Sequence, residues 1–225
     1  LATTPGAVAP SPPPSRPEVA ADWRSLLGRE TEEEAFQDLF AQWGLRYAEL
    51  PGAVPGERAD AGGLRCVDGV GGGADLRRLD LPAVIELADG PRRGRALVTA
   101  LAGDRVTLRL GERRLDLPQR EVGEAWTGRY TLLWRPPPFA AGVLQAGSVG
   151  PPVVWLRDRL DRLEPGSARD DAGPRERFDE RLRLRVLAFQ RRRGLRADGK
   201  VGTQTAIHLS RAAGDLPVPS LQRGS

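Results

Sequence analysis

Residues 189–205 (FQRRRGLRADGKVGTQT) constrain the fold of this chain more than any other stretch. Phe178, Leu182, Val186 and Phe189 recur at helical spacing ahead of it, and Gly194 stops that pattern. Asp198-Gly199 then suits a tight turn that requires positive φ at the glycine. Gly202 is expected to permit a close backbone approach, and Thr203 or Thr205 to cap a third helix over 201–209. Upstream, Val153, Leu156, Leu160 and Leu163 form the apolar stripe of a first helix. Residues 149–213 therefore read as three short helices around a core so small that each of these side chains should matter.

The rest of the chain falls into segments of different character. Residues 1–20 are rich in Pro, Ala, Ser and Thr and read as a semi-extended linker. Residues 21–138 begin with Thr31 and Glu34, spaced as a capping box, followed by Ala35, Phe36, Leu39, Phe40 and Trp43 at helical spacing, with Gly44 as the stop. That helix is expected to be the central buried helix of its domain. Strands are expected near 64–67, 81–87, 95–101, 105–110, 113–117 and 130–134, with helical turns at 74–80 and 119–126 and a hairpin at 102–104. A helix followed by a meander of strands argues an α+β domain. Residues 139–148 read as a linker and 214–225 as a tail.

Composition narrows the function classes. The net charge of +4 comes from 34 basic and 30 acidic residues, a mixed surface and not a one-sign field. Lys200 is the only lysine and asparagine is absent, which points to codon bias in a GC-rich genome more than to a need for guanidinium groups. Cys66 stands alone, so no intramolecular disulfide and no thiolate metal cage can form. No run of about 18 apolar residues occurs. The chain opens at Leu1 and has no Met, so it is expected to be a fragment or processed product. Any membrane attachment is expected through an upstream segment only. No cofactor motif is present.

The spacing F-Q-x3-G-L-x2-D-G-x2-G-x2-T, with Trp155-Leu156 and Phe178-Asp179 before it, resembles the small three-helix peptidoglycan-binding domain. The resemblance implies non-catalytic binding of peptidoglycan beside the loop, with Arg181, Gln190, Arg192, Asp198, Gly199, Gly202 and Thr205 as site residues. For Phe189, Leu195 and Val201 a purely structural role is expected. Residues 164–175 (EPGSARDDAGPR) are longer and more charged than such a domain needs.

The first half, with its Trp-ended helix, Leu-Pro-Ala-Val-Ile strand and hairpin, is similar to the papain-like C39 peptidase fold. That family implies a nucleophilic Cys at the start of the helix and a His on the strand after the Pro-Ala-Val-Ile segment. Here the helix start is Thr31, the His place falls near Arg95 or Ala96, and no His precedes His208. A thiolate–imidazole pair cannot form inside this half, so the expected domain is a degenerate peptidase without catalysis. Cys66 reads as a small buried apolar residue, and His208 as a packing or surface residue. Trp126, Tyr130 and Trp134 alternate on a strand and are expected to pack.

Gly63-Leu64-Arg65-Cys66, Leu81-Pro82-Ala83-Val84 and the run 126–135 resemble the periplasmic region of the general secretion pathway protein A family, over residues 23–209. This resemblance implies type II secretion, general secretion pathway protein B and the secretin as partners, and an upstream ATPase and membrane helix. A homo-oligomer is compatible with the sequence. The alternative is a cell-wall hydrolase or peptidase targeted by its peptidoglycan-binding domain. A nucleic-acid or lipid reading rests on arginines of the second helix, of which Arg181, Arg185 and Arg192 share a face. Interspersed acids make that face an ordinary solvated one, and no nucleic-acid partner is expected.

Overall fold

A computed structural model describes residues 23–29, 31–137, 142–164, 174–214 and 218–222. The expected Pro-rich linker, part of the 139–148 linker, residues 165–173 of the charged insertion and half of the tail lie outside the described residues.

Helix α1 (Glu32–Ala41) starts as its local chemistry dictates. The Glu34 N–H donates to Thr31 Oγ1 at 3.3 Å and the Thr31 N–H donates to Glu34 Oε2 at 2.8 Å, closing the capping box. Ala35, Phe36, Leu39 and Phe40 are buried against Val84, Leu97 and Leu133 of a sheet. Glu32, Glu33 and Gln37 are exposed, so the expected central helix is buried along one face only, where it covers the sheet. Its 3.6-residue period leaves one stripe apolar, and a single stripe buries a single face.

After α2 (Pro55–Ala61) come β1 (Arg65–Val70), α3 (Gly73–Leu79), β2 (Ala83–Asp89), β3 (Arg92–Ala102), β4 (Arg105–Leu110), β5 (Arg113–Pro118), α4 (Gln119–Ala125) and β6 (Trp126–Trp134). All strand pairs are antiparallel and the sheet order is β1-β6-β2-β3-β4-β5. Strands β2 to β5 form the expected meander, but β6 returns to lie between β1 and β2. The last strand thus becomes a central one, and Tyr130, Leu132, Leu133 and Trp134 are all buried on it.

Helices α5 (Pro151–Leu163), α6 (Glu180–Arg192) and α7 (Thr203–Ala212) follow. Asp179 caps α6 by accepting from the Leu182 N–H at 2.8 Å. Arg157 on α5, 1% exposed, donates to the Arg177 carbonyl at 2.7 Å and to Asp179 at 3.0 Å, so a buried guanidinium joins α5 to the start of α6. Two expectations are corrected at α7. Its N-cap is Gly202, without a side-chain cap, and neither Thr203 nor Thr205 fills that role. A Cβ at Gly202 would meet nothing within 4 Å, so no close approach requires glycine there.

The apolar core does not stop between the two halves. Leu81, Ala83, Ile85, Leu132 and Trp134 of the sheet half form one buried cluster with Val153, Trp155, Leu156, Ile207 and Leu209 of the helical half. A polar latch reinforces this seam. Asp80, in the left-handed region at φ 50, closes α3. Its carboxylate pairs with Arg211 at the end of α7 and accepts from Ser220 Oγ at 2.9 Å and from the Gln222 N–H at 3.0 Å. Arg211 also donates to the Asp80 carbonyl at 2.6 Å and to the Pro219 carbonyl at 3.0 Å. Between these contacts Leu221 is 1% exposed, and its carbonyl accepts from the Leu101 N–H at 2.9 Å.

Candidate functional site

The loop after α6 is organised by Gln190. Its Nε2 donates to the Lys200 carbonyl at 2.8 Å, to Asp198 Oδ1 at 3.2 Å and to Thr205 Oγ1 at 3.3 Å. Its Oε1 accepts from the Gly199 N–H at 2.9 Å. Asp198 accepts again from the Lys200 N–H at 2.9 Å, which holds its carboxyl below the usual carboxylate range. Gly199 has φ +72, and a Cβ there would sit 2.9 Å from Arg183 Cγ. Gln190, Asp198, Gly199 and Thr205 are thus brought together as expected, but as a knot that shapes the loop. Gln190 and Thr205 are 1% and 6% exposed, with their polar atoms engaged inside the protein. Asp198 stands exposed at the loop surface.

The arginines lie elsewhere. At about 100° per residue, Arg181 and Arg192 point roughly 180–200° away from Gln190. Arg192 pairs with Glu164 at the end of α5, and Arg185 pairs with Asp161 at 2.9 Å on the same side. Gly202 ends the loop as the N-cap of α7.

At the position where a C39 peptidase would hold its nucleophile and His, the side chains are differently occupied. Thr31 is consumed in the capping box, and next to it Glu32 pairs with Arg95 at 2.8 Å. The Arg95 guanidinium also lies 5.8 Å from the Phe36 ring centroid. Beside Arg95 runs a polar cleft of about 410 Å³ bordered by Asp68, Glu86, Arg129 and Thr131. An ion pair here can hold the helix start against β3, but it supplies neither a thiolate nor a base for one.

Cys66 lies on β1, half-buried, with its thiol pushed up to about 12 by burial and by Asp68 and Asp60. A thiol so disposed is protonated and unreactive at neutral pH. His208 on α7 is half-buried. Burial, with the charges of Arg193, Arg211 and Arg78, lowers its pKa to about 4. Among the described residues no group of three or more His, Cys, Asp or Glu side chains could hold a metal ion. Trp126 is half-buried with its Nε1–H donated to the Arg129 carbonyl at 2.7 Å, while Tyr130 and Trp134 are buried, so this set packs as expected.

One feature has no trace in the motifs. A groove of about 440 Å³ runs along the seam, with Arg65, Cys66 and Val67 of β1 on one side and Val201, Gly202 and Thr203 on the other. Its walls come from segments more than 130 residues apart in the chain, and no local pattern signals their meeting.

Residues 22–136, about half the chain, match the family described as GspA, peptidase C39-like domain, and residues 149–209 match the peptidoglycan binding domain family. The general secretion pathway protein A of Aeromonas hydrophila is 33% identical over 192 residues, which are 84% of this chain and 34% of that protein. A relative from Escherichia coli (strain K12) is 27% identical over 185 residues, 82% of this chain and 36% of its own. The chain therefore spans about a third of the length of these curated relatives. The crystal structure of a periplasmic domain of the EpsAB fusion protein of the Vibrio vulnificus type II secretion system shares the fold. Its TM-score is 0.53 at 24% identity, covering 87% of this chain and 84% of that one.

Proposed function

This chain belongs to the general secretion pathway protein A family, and on that premise we propose that it is a non-catalytic, peptidoglycan-binding assembly module of a type II secretion system. It acts in the periplasm as part of an inner-membrane protein. By holding the cell wall it helps general secretion pathway protein B place the secretin through that wall. The observation that carries this reading is a juxtaposition. A peptidoglycan-binding helical unit is packed, through a shared core, onto a peptidase-like sheet whose catalytic position holds the Thr31 cap and the Glu32–Arg95 pair. A rigid union of that kind suits an anchor, since force or position can pass from one half to the other without a hinge.

Sedimentation of the purified chain with insoluble peptidoglycan tests the anchor. The protein is expected in the pellet at moderate salt, with no soluble muropeptides released on long incubation. Failure to pellet in both monomer and oligomer fractions refutes wall binding. Release of muropeptides that a single carboxylate substitution abolishes refutes the non-catalytic part and restores the hydrolase alternative.

A further inference from the structure

The start of α7 forms only one wall of the seam groove; the other belongs to the sheet half. Arg65, Cys66 and Val67 all border it. Successive side chains of a strand point to opposite faces, so three consecutive residues can line one groove only if it runs along the strand's edge. Strand β1 ends the sheet and pairs with β6 alone, so among the described residues no strand covers its outer backbone groups. Such an edge is a ready acceptor of amide groups from an extended chain.

The other borders add selectivity. Trp134, Trp155 and Leu144 supply apolar surface, but the two indoles are 6% and 7% exposed. They offer no free ring face on which a pyranose could stack. Opposite β1, α7 begins at Gly202 with no side-chain cap, so an uncapped first turn and the positive end of its dipole lie at the border of the groove. Arg65 is the one charged side chain among the described residues of the lining, and its Nε makes only a loose, largely exposed pair with Asp60 at 3.9 Å. A row of backbone pairing groups, an apolar floor and a positive end together complement an extended peptide that carries carboxylates.

We propose that this groove binds the stem peptide of peptidoglycan, with its amides along the edge of β1 and a carboxylate toward Arg65 and the start of α7. The proposal rests on the wall-binding reading and deepens it: the peptidase-like half contributes directly to the wall site, and the ligand is the peptide and not the glycan. It also moves the site away from Arg181 and from Arg192, which pairs with Glu164 at the end of α5.

Gly202 allows a test that misfolding cannot explain. It sits at φ −91 and ψ −174, extended geometry suited to a capping residue, with open space where a side chain would go. Gly202→Asp should therefore leave the thermal midpoint unchanged or higher, while placing a negative charge in the groove. Titration of the whole chain with the free stem tetrapeptide is expected to show affinity about tenfold lower for Gly202→Asp. Gly202→Asn, which caps without charge, should stay within about threefold of the parent. Arg65→Glu, on the exposed edge of the other half, should also weaken binding about tenfold. The stem-free disaccharide should bind far more weakly than the tetrapeptide.

If the parent pellets with peptidoglycan but neither substitution changes tetrapeptide affinity, the groove is not the site, though wall binding stands. If only Arg65→Glu is silent, the sheet half takes no part and the shared site is refuted. Equal affinity for the stem-free disaccharide refutes the peptide assignment. A parent chain that does not pellet removes wall binding itself.

Discussion

Replacing Gln190 by Leu separates loop-shaping from ligand contact. The two side chains are close in volume, so no cavity opens, and the loss is confined to polar partners. The Gly199 N–H, the Lys200 carbonyl and Thr205 Oγ1 each lose a bond inside the protein, whereas exposed Asp198 can turn to water. At about 1–1.5 kcal/mol for each of three inward-facing partners, the variant should lose roughly 3–4 kcal/mol. For a chain of this size that lowers the thermal midpoint by about 10 °C. Circular dichroism melts and urea titrations measure the loss, and sedimentation with peptidoglycan below the lowered midpoint measures retention. The expected result is a clear loss of stability with wall retention of the folded protein unchanged. A loss under about 1 kcal/mol would show that Gln190 does not hold the loop. Retention abolished in protein that is still folded would return Gln190 to the ligand contacts.

Three further outcomes are expected. Asp80→Ala removes the acceptor of Arg211, Ser220 and Gln222, whose network is mostly shielded, and should cost about 2–3 kcal/mol. Calorimetry should then resolve two transitions where the parent shows one; a single unshifted transition would refute the latch. His208 has a folded pKa of about 4 against an ordinary 6.5, so the unfolded chain takes up a proton that the folded one refuses. Its contribution is intact above pH 6.5 and is lost as pH falls toward 4, by about 2 kcal/mol after allowance for its partial exposure. His208→Gln should flatten that part of the pH–stability curve, and an unchanged slope in urea titrations would count against it. Gly199→Ala should cost about 2 kcal/mol through positive φ and contact with Arg183, whereas Gly202→Ala should stay within about 0.5 kcal/mol. Equal losses at both glycines would refute the geometric distinction.

Much of the helical half was legible in sequence because its determinants are local. Asp198-Gly199 needs a positive φ whatever surrounds it, and Gly199 has one. The grouping of Gln190 with Asp198, Gly199 and Thr205 follows from a fixed helix period and a ten-residue loop. Their burial did not follow, because a motif records which residues stand together and not which side of them faces water. The same limit applies at α7, where two threonines offered themselves as caps. The chain's turn at Gly202 instead put Thr205 inward to accept from Gln190.

The sequence alone determined where α1 starts and where α6 stops, which helix faces are apolar, and that a peptidase-like half lacks its Cys–His pair. These depend on neighbours within a few residues or on the absence of a residue type. Only the tertiary structure decided that β6 lies between β1 and β2, that one core crosses both halves, and that Asp80 meets Arg211 and Gln222. It also decided that β1 and the start of α7 face each other across a groove. Those outcomes depend on contacts between residues from about 40 to 142 positions apart. A strand's period fixes which side chains share a face, but not which strand will lie beside it.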